Sequence, residues 1–370
     1  MTQHYSFPSI EQYRTVIKYV NDRADRRQVP RPTLTFHGTV KLHGTNASVV
    51  ISGDEYWAQS RSQVITPEAD NAGFAAFAHQ PEIKRLLKAL AYHAEGVYFA
   101  SRADYIERYP VDVAIYGEWC GGNIQGGIAL NKLSKMFVIF AVRLLSKEDD
   151  ETKSIWLMPW DVEQAYDAIA PDGVPLVQTT GVAAVMAELP IYCIEKFPTW
   201  KLSINFAEPA AAQNELVRIT TEVEAECPVG KALGVTGVGE GVVWTCVGGD
   251  PTSIMINDLV FKVKGEKHSD TKVKTIGAVD IERLNSIREL AESFATDHRL
   301  EKGIAFLRES TEDVYDVKNI GPFLKWVGTD IIKEETDTIV GNGFEVKDVT
   351  KAINNIAKEW FLQRSRSNES

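Results

Sequence analysis

Hydrophobic positions along the chain follow two periods, and the change from one to the other divides it. Up to about residue 264 the apolar residues fall in short runs. Thr33-Leu34-Thr35-Phe36 alternates on the approach to Val40 and Lys41, and Ala47 to Ile51 reads as a strand. Val111 to Tyr116, Met136 to Leu145, Gly241 to Val247 and Leu259 to Lys264 read as further strands. Helical spacing interrupts them. Ile83, Leu86, Leu87 and Leu90 share one face of a helix predicted over Glu82 to Glu95. Helices are also expected over Asp161 to Ala170 and over Pro209 to Glu226, the second opened by its proline. Asn21 to Pro32 is charged and proline-bearing, and reads as a connector.

After His268 the period is helical only. Ile281, Leu284, Ile287, Leu290 and Phe294 recur at helical spacing, as do Val349, Ile353, Ile356 and Trp360. The expected fold class is α+β over residues 1–270, followed by an all-α domain over 271–370. The boundary is placed near Ser269 to Lys274.

Composition changes this picture little. At 370 residues the chain can build two cores. A formal net charge of −11 argues against a polycation that coats nucleic acid, but leaves room for a local basic groove. Cys120, Cys193, Cys227 and Cys246 have no CxxC spacing, which argues against zinc and predicts reduced thiols. Met1 to Ile10 lacks an apolar signal core, and no apolar run reaches the length of a membrane span. A cytoplasmic protein without membrane association is therefore expected, and no protein partner is evident.

The chemistry concentrates around Lys41, in Val40-Lys41-Leu42-His43-Gly44-Thr45-Asn46. A lysine at a strand–turn junction, followed three residues later by glycine, can present its amine to a phosphate. On its own that pattern also fits a surface lysine at a turn. It is followed in order by Ser60-Arg61-Ser62, Tyr116-Gly117-Glu118, Glu240-Gly241-Val242-Val243 and Phe261-Lys262-Val263-Lys264. Five short motifs in one order arise by chance far less often than any one of them. Alternation puts Lys262 and Lys264 on one face of their strand. Glu240 lies between Gly239 and Gly241, where backbone can approach a ligand closely.

This ordered set resembles the covalent nucleotidyltransferase superfamily of DNA ligases, RNA ligases and capping enzymes. Lys-x-His-Gly-x-Asn, with Arg61 twenty residues after the lysine, is most similar to the phage RNA ligase 2 branch. The resemblance spans roughly Tyr5 to Ser269. It implies a nucleotidyltransferase (adenylyltransferase) fold of antiparallel sheets with flanking helices and the nucleotide in the cleft between them, ATP and Mg2+ (or Mn2+) as cofactors, and RNA with 5′-phosphate and 3′-hydroxyl ends as partner. It implies Lys41 as the nucleophile that takes AMP, with Lys262 and Lys264 beside the α-phosphate to lower the amine's pKa and neutralise phosphoryl charge. Glu118 would hold the ribose 2′-hydroxyl and Glu240 the metal. Arg61 would grip a phosphate, which suits a guanidinium. Asn46 would bond a phosphate oxygen or orient the attacking hydroxyl, and His43 would serve the RNA-joining steps. Phe140 would stack on adenine, with Phe137 in reserve, although Ala141 stands where many relatives have aspartate.

The function so implied is ATP-dependent RNA joining, as in RNA repair, with the helical tail helping to choose the RNA through Lys272, Lys274, Lys325 and Lys333. A DNA ligase or a capping enzyme is the nearest rival. Both append an OB barrel after the last lysine motif, whereas Asp280 to Gln363 has helical periodicity. A non-catalytic RNA-binding relative is the rival of another class, and intact Lys41, Glu118, Glu240, Lys262 and Lys264 weigh against it.

Overall fold

A computed structural model of the protein describes residues 2–70, 72–100, 111–146, 154–169, 189–247, 259–265, 287–308, 311, 313–341 and 343–368. Among the described residues two sheets face each other across a cleft. The first has five strands: β1 (Glu11–Gln12), β2 (Thr33–Lys41), β10 (Thr199–Asn205), β11 (Gly241–Cys246) and β12 (Val260–Lys264), in the order β1-β12-β11-β2-β10. The second runs β5 (Val64–Ile65), β4 (Glu55–Ser60), β3 (Thr45–Ser52), β6 (Val111–Cys120), β7 (Met136–Ser146) and β8 (Ile155–Leu157), with β9 (Ile191–Cys193) beside β7. Pairing is antiparallel except for β1 with β12 and β9 with β7. The mixed α+β class with antiparallel sheets and a helical C-terminal region is as expected.

Each sheet buries its outer face under helices. Phe36, Val40, Val242, Trp244, Phe261 and Val263 of the first sheet pack with α1 (Tyr13–Arg27) and α5 (Gln213–Ala225). Ala47, Val49, Val113 and Ile115 of the second pack with α2 (Phe74–Ala78), α3 (Pro81–Ala100) and α4 (Pro159–Ile169). A short α6 (Pro228–Ala232) follows α5.

Helix α1 corrects the reading of Asn21 to Pro32 as a connector. Tyr13, Val16, Ile17, Val20 and Ala24 are buried at helical spacing, and Lys18, Asp22, Asp25, Arg26 and Arg27 lie on the solvent side. The helix ends where Gln28 turns left-handed, at φ 54°, before Pro30 and Pro32. Two smaller corrections follow. Pro209 opens a 3₁₀ turn to Ala212, and the α-helix begins only at Gln213. Strand β6 continues four residues past Tyr116, because Thr45 to Ala47 keep pairing with Gly117 to Trp119.

A separate apolar cluster holds α7 (Ile287–Phe294), α8 (Asp297–Arg308), α9 (Ile320–Gly341) and α10 (Val346–Asn368) together through Leu290, Phe294, Ile304, Phe323, Val327, Ile353 and Phe361. The expected boundary at Ser269 to Lys274 lies outside the described residues, as do Ile281, Leu284, Lys272 and Lys274.

The helical cluster meets the β-sheet part largely through charge. Arg14 of α1 donates to Thr338 Oγ1, to the Glu334 carbonyl and, at 2.9 Å, to Glu335 Oε2. Lys262 Nζ lies 2.8 Å from Glu334 Oε1, and Lys333 Nζ donates to Ser9 Oγ at 2.6 Å. Behind this seam Arg299, fully buried, faces Asp330 at 3.2 Å and Glu334 at 2.5 Å. Glu335, equally buried, has its carboxyl raised by burial, against the pull of Arg14 and Arg299.

Removing one partner of a buried ion network strands the others. Arg299→Ala is expected to destabilise the helical region by about 3–5 kcal/mol. Denaturant unfolding followed by far-UV circular dichroism measures this, and a change under about 1 kcal/mol would rule the network out as a structural tie.

Candidate active site

The turn between β2 and β3 places the first group. Lys41 is the last residue of β2 and pairs with Gly241, which pairs on its other side with Lys264. Thr39, Val243 and Lys262 form the next row on the same face. Partners directly opposite in a sheet share a face, so Lys41, Lys262 and Lys264 all belong to the cleft side. Lys262 does not lie on a free edge, because Gln12 of β1 pairs with it on the side away from β11.

Glu240 organises this row. It precedes β11, is 2% exposed, and accepts from Lys41 Nζ at 2.8 Å through Oε2. His43 Nδ1 donates to the same oxygen at 3.2 Å, and Lys264 Nζ lies 3.6 Å from Oε1. Burial alone would raise this carboxyl. Lys41, His43 and Lys264 together outweigh burial and hold it well below the usual carboxylate range. An ionised Glu240 requires the His43 proton to sit on Nδ1.

The flanking glycines have a different role from the one expected. A Cβ on Gly239 would lie 2.4 Å from the Val223 carbonyl oxygen, and one on Gly241 2.1 Å from that of Val263. These glycines let α5 and β12 close on Glu240, rather than admitting a ligand. Gly44 is likewise fixed by neighbours, since a Cβ there would meet the Trp119 carbonyl oxygen at 2.4 Å.

The second sheet supplies the opposite wall. Glu118 lies within β6, not after it, and pairs with Asn46 of β3. Arg61 follows Ser60, whose partner is Ala47, and so comes level with Asn46. Glu118 Oε1 accepts from the Gly44 N–H at 2.9 Å, which ties the wall to the turn after Lys41. Burial pushes the Glu118 carboxyl up to about 7. Lys41 opposes the shift, Glu240 adds to it, and the Gly44 N–H and Arg61 oppose it again.

Residues 3–10 thread between the walls. The Tyr5 N–H donates to Gln59 Oε1 at 2.9 Å, and the Tyr5 carbonyl accepts from Gln59 Nε2 at 3.1 Å and from the Tyr116 hydroxyl at 3.0 Å. Phe7 packs edge-on against Phe140 at 5.0 Å and touches Tyr116 and Trp156. Phe140 is thus on the cleft side. Phe137 is fully buried on the opposite face against Phe74, which removes it as the reserve for base stacking.

The structure thus brings Lys41, His43, Asn46, Glu118, Phe140, Glu240 and Lys264 around one cleft, with Arg61 at its rim. Lys262 is on the same face but is engaged by Glu334 from α9. Four participants were missed: Ser9, Phe7, Glu334, and His298, whose ring lies 5.7 Å from that of His43. Helices α8 and α9 are remote in sequence, and no local pattern marks them as neighbours of Lys41.

Because the native state keeps a proton on Glu118 that the unfolded chain releases above 4.5, this group's contribution to stability falls as pH rises from there to about 7. Glu118→Gln is expected to flatten that decline. Thermal melts from about pH 5 to about pH 8 read it, and superimposable profiles for both proteins would mean that Glu118 titrates normally.

The model of the RNA ligase family matches residues 34–264, which span both walls and every motif from Lys41 to Lys264. Among solved structures, Naegleria gruberi RNA ligase in a mutant form with AMP and Mn is 17% identical, with a TM-score of 0.40 over 71% of this chain and 56% of that one. The same ligase with PPi gives 17% identity and a TM-score of 0.41 over the same shares. This chain thus covers little more than half the length of those ligases. No curated protein matches it. With the family model covering well over half of its residues and the motif side chains gathered in one cleft, this chain belongs to the RNA ligase family.

Proposed function

We propose that the protein is an ATP-dependent RNA ligase that joins 5′-phosphate to 3′-hydroxyl RNA ends. One observation carries the reading most directly. The Lys41 amine sits at a strand end against an ionised, buried Glu240, with Lys264 on the other side of that carboxylate. A primary amine held by an anion and flanked by a second cation suits attack on a phosphoryl group that carries its own negative charge.

In this reading Lys41 releases its ammonium proton to solvent and the freed Nζ lone pair attacks the α-phosphate of ATP, forming the P–N bond as the bond to pyrophosphate breaks. Glu240 orients the amine before attack, and Lys264 faces the charge that grows on the phosphoryl oxygens. Lys262 joins it once Glu334 gives way. Glu118 and Asn46, side by side on the opposite wall, offer an acceptor and an amide to the ribose and the phosphates. A 5′-phosphate oxygen then attacks the phosphorus and releases Lys41. A 3′-hydroxyl attacks the activated end and AMP leaves.

A divalent cation fits this donor set. Magnesium keeps several waters and takes further oxygens from phosphates, so the single carboxylate of Glu240 suffices to anchor it. It would neutralise phosphoryl charge there. The four free, buried cysteines suit a reducing compartment, and no described helix is long and apolar enough to cross a membrane. We place the enzyme in the cytoplasm on the first of these grounds, with RNA repair as its setting.

Two outcomes test the reading. Lys41→Ala should take no covalent label from α-labelled ATP with magnesium, as seen on the denatured protein. Label retained on that variant would remove Lys41 as nucleophile, and no label on the parent protein would refute the activity. Lys264→Ala should slow labelling by at least about 100-fold, roughly 3 kcal/mol of transition-state stabilisation. Single-turnover rates near the parent's would leave Lys264 a structural partner of Glu240.

A further inference from the structure

At the rim of the cleft two cations converge on one neutral hydroxyl. Arg61 Nη2 lies 3.2 Å from Ser9 Oγ, and Lys333 Nζ lies 2.6 Å from the same atom. The three residues come from three parts of the chain: the strap before β1, the end of β4 and the face of α9. Arg61 and Lys333 are both exposed, and among the described residues neither has a carboxylate within ion-pairing distance. Like charges brought together without an anion repel, and other cations at this seam follow the opposite rule. Arg14, Lys262 and Arg299 each meet a glutamate there.

The rim also lies beside the chemistry. Ser9 is three residues before Gln12, whose partner in the sheet is Lys262, and Lys333 adjoins Glu334, which holds Lys262. Arg61 comes level with Asn46 and acts electrostatically on Glu118.

We propose that Ser9, Arg61 and Lys333 form a phosphate site that receives the terminal 5′-phosphate of the RNA, with Lys333 brought to it by the helical region. The proposal rests on the RNA ligase reading and adds Ser9 and Lys333 to it. Charge selects the terminal group over an internal one. A phosphate monoester carries close to two negative charges at neutral pH and a backbone phosphodiester carries one, so two unopposed cations match the monoester. The Ser9 hydroxyl accepts from both cations and keeps its own proton to donate to a phosphate oxygen. A site shared by α9 and the β-sheet part is complete only when the helical region is docked.

The test is direct binding of two RNA oligonucleotides of one sequence to the full chain, without nucleotide, one ending in a 5′-phosphate and the other in a 5′-hydroxyl. The parent protein should favour the phosphorylated RNA by about tenfold or more. Lys333→Ala and Ser9→Ala should bring that preference to within about twofold, and Lys333→Arg should keep most of it. A parent protein with no preference overturns the site. So does a Lys333→Ala variant that loses affinity for both RNAs equally, which would mark a backbone phosphate contact or a disturbed helical region. Ser9→Ala leaves every charge at the seam in place, and a full preference in that variant also overturns the site as described. Labelling by ATP in the same preparations separates the two readings. Label without 5′-phosphate preference refutes this site alone, whereas preference without label supports the site and refutes the ligase activity.

Discussion

The buried carboxylate of Glu240 is the constraint on which the rest of the site depends. An ionised group at 2% exposure is tolerable only if cations surround it, and here Lys41, His43 and Lys264 do so from two strands and a turn. That requirement fixes the Lys41 amine in the cleft. It also explains the packing below. Gly239 and Gly241 allow α5 and β12 to approach Glu240 at distances that no Cβ would permit. The Gly265 N–H donates to the Glu240 carbonyl, so the backbone after β12 closes on the same residue. The register of β2, β11 and β12 that brings Lys41 and Lys264 to Glu240 is the one that aligns Val40, Val242 and Val263 on the other face.

The helical region extends the same logic outward. Its core is apolar and its own, but its seam with the sheets is built from Arg14, Lys262, Arg299, Glu334 and Glu335. A charged seam exchanges partners more readily than an apolar one, because each ion pair has alternatives in water or in a ligand's phosphates. Lys262 is the clearest case. Its position on the cleft face fits a phosphate, and its present partner is a carboxylate from α9. On the proposed reading a nucleotide phosphate and Glu334 would compete for one ammonium, which would link nucleotide occupancy to the hold of the helices on the cleft.

The strap of residues 3–10 is the third element of the cleft. It fills the space between the sheets with Tyr5 and Phe7, and is tied to Gln59, Tyr116 and Asp112 by hydrogen bonds. Phe7 packs edge-on against Phe140 and so borders the apolar end of the cleft. Ser9 lies at the strap's other end, so one short segment spans the cleft from its apolar end to its cationic rim.

Much of this protein was legible in its sequence because the chemistry is local in register. Lys41, Glu118, Glu240, Lys262 and Lys264 each stand in or beside a strand, and period-two alternation predicts their faces without knowledge of their neighbours. The helical tail announced itself equally well through the spacing of Leu290, Phe294, Val349 and Ile353. Helix α1 was obscured because its solvent face is densely charged, and only burial of Val16, Ile17 and Val20 against β12 shows which face counts. The same holds for Phe137 and Phe140. Alternation puts these two aromatics, three apart on β7, on opposite sides of the sheet, and only the packing shows that Phe140, against Phe7, faces the cleft while Phe137 is buried against Phe74. The engagement of Lys262 by Glu334, the burial of Arg299 and the meeting of Ser9, Arg61 and Lys333 were decided by tertiary structure alone. Each joins residues tens to hundreds of positions apart through side-chain charge, and the distant partner of a charge leaves no periodic trace in a sequence.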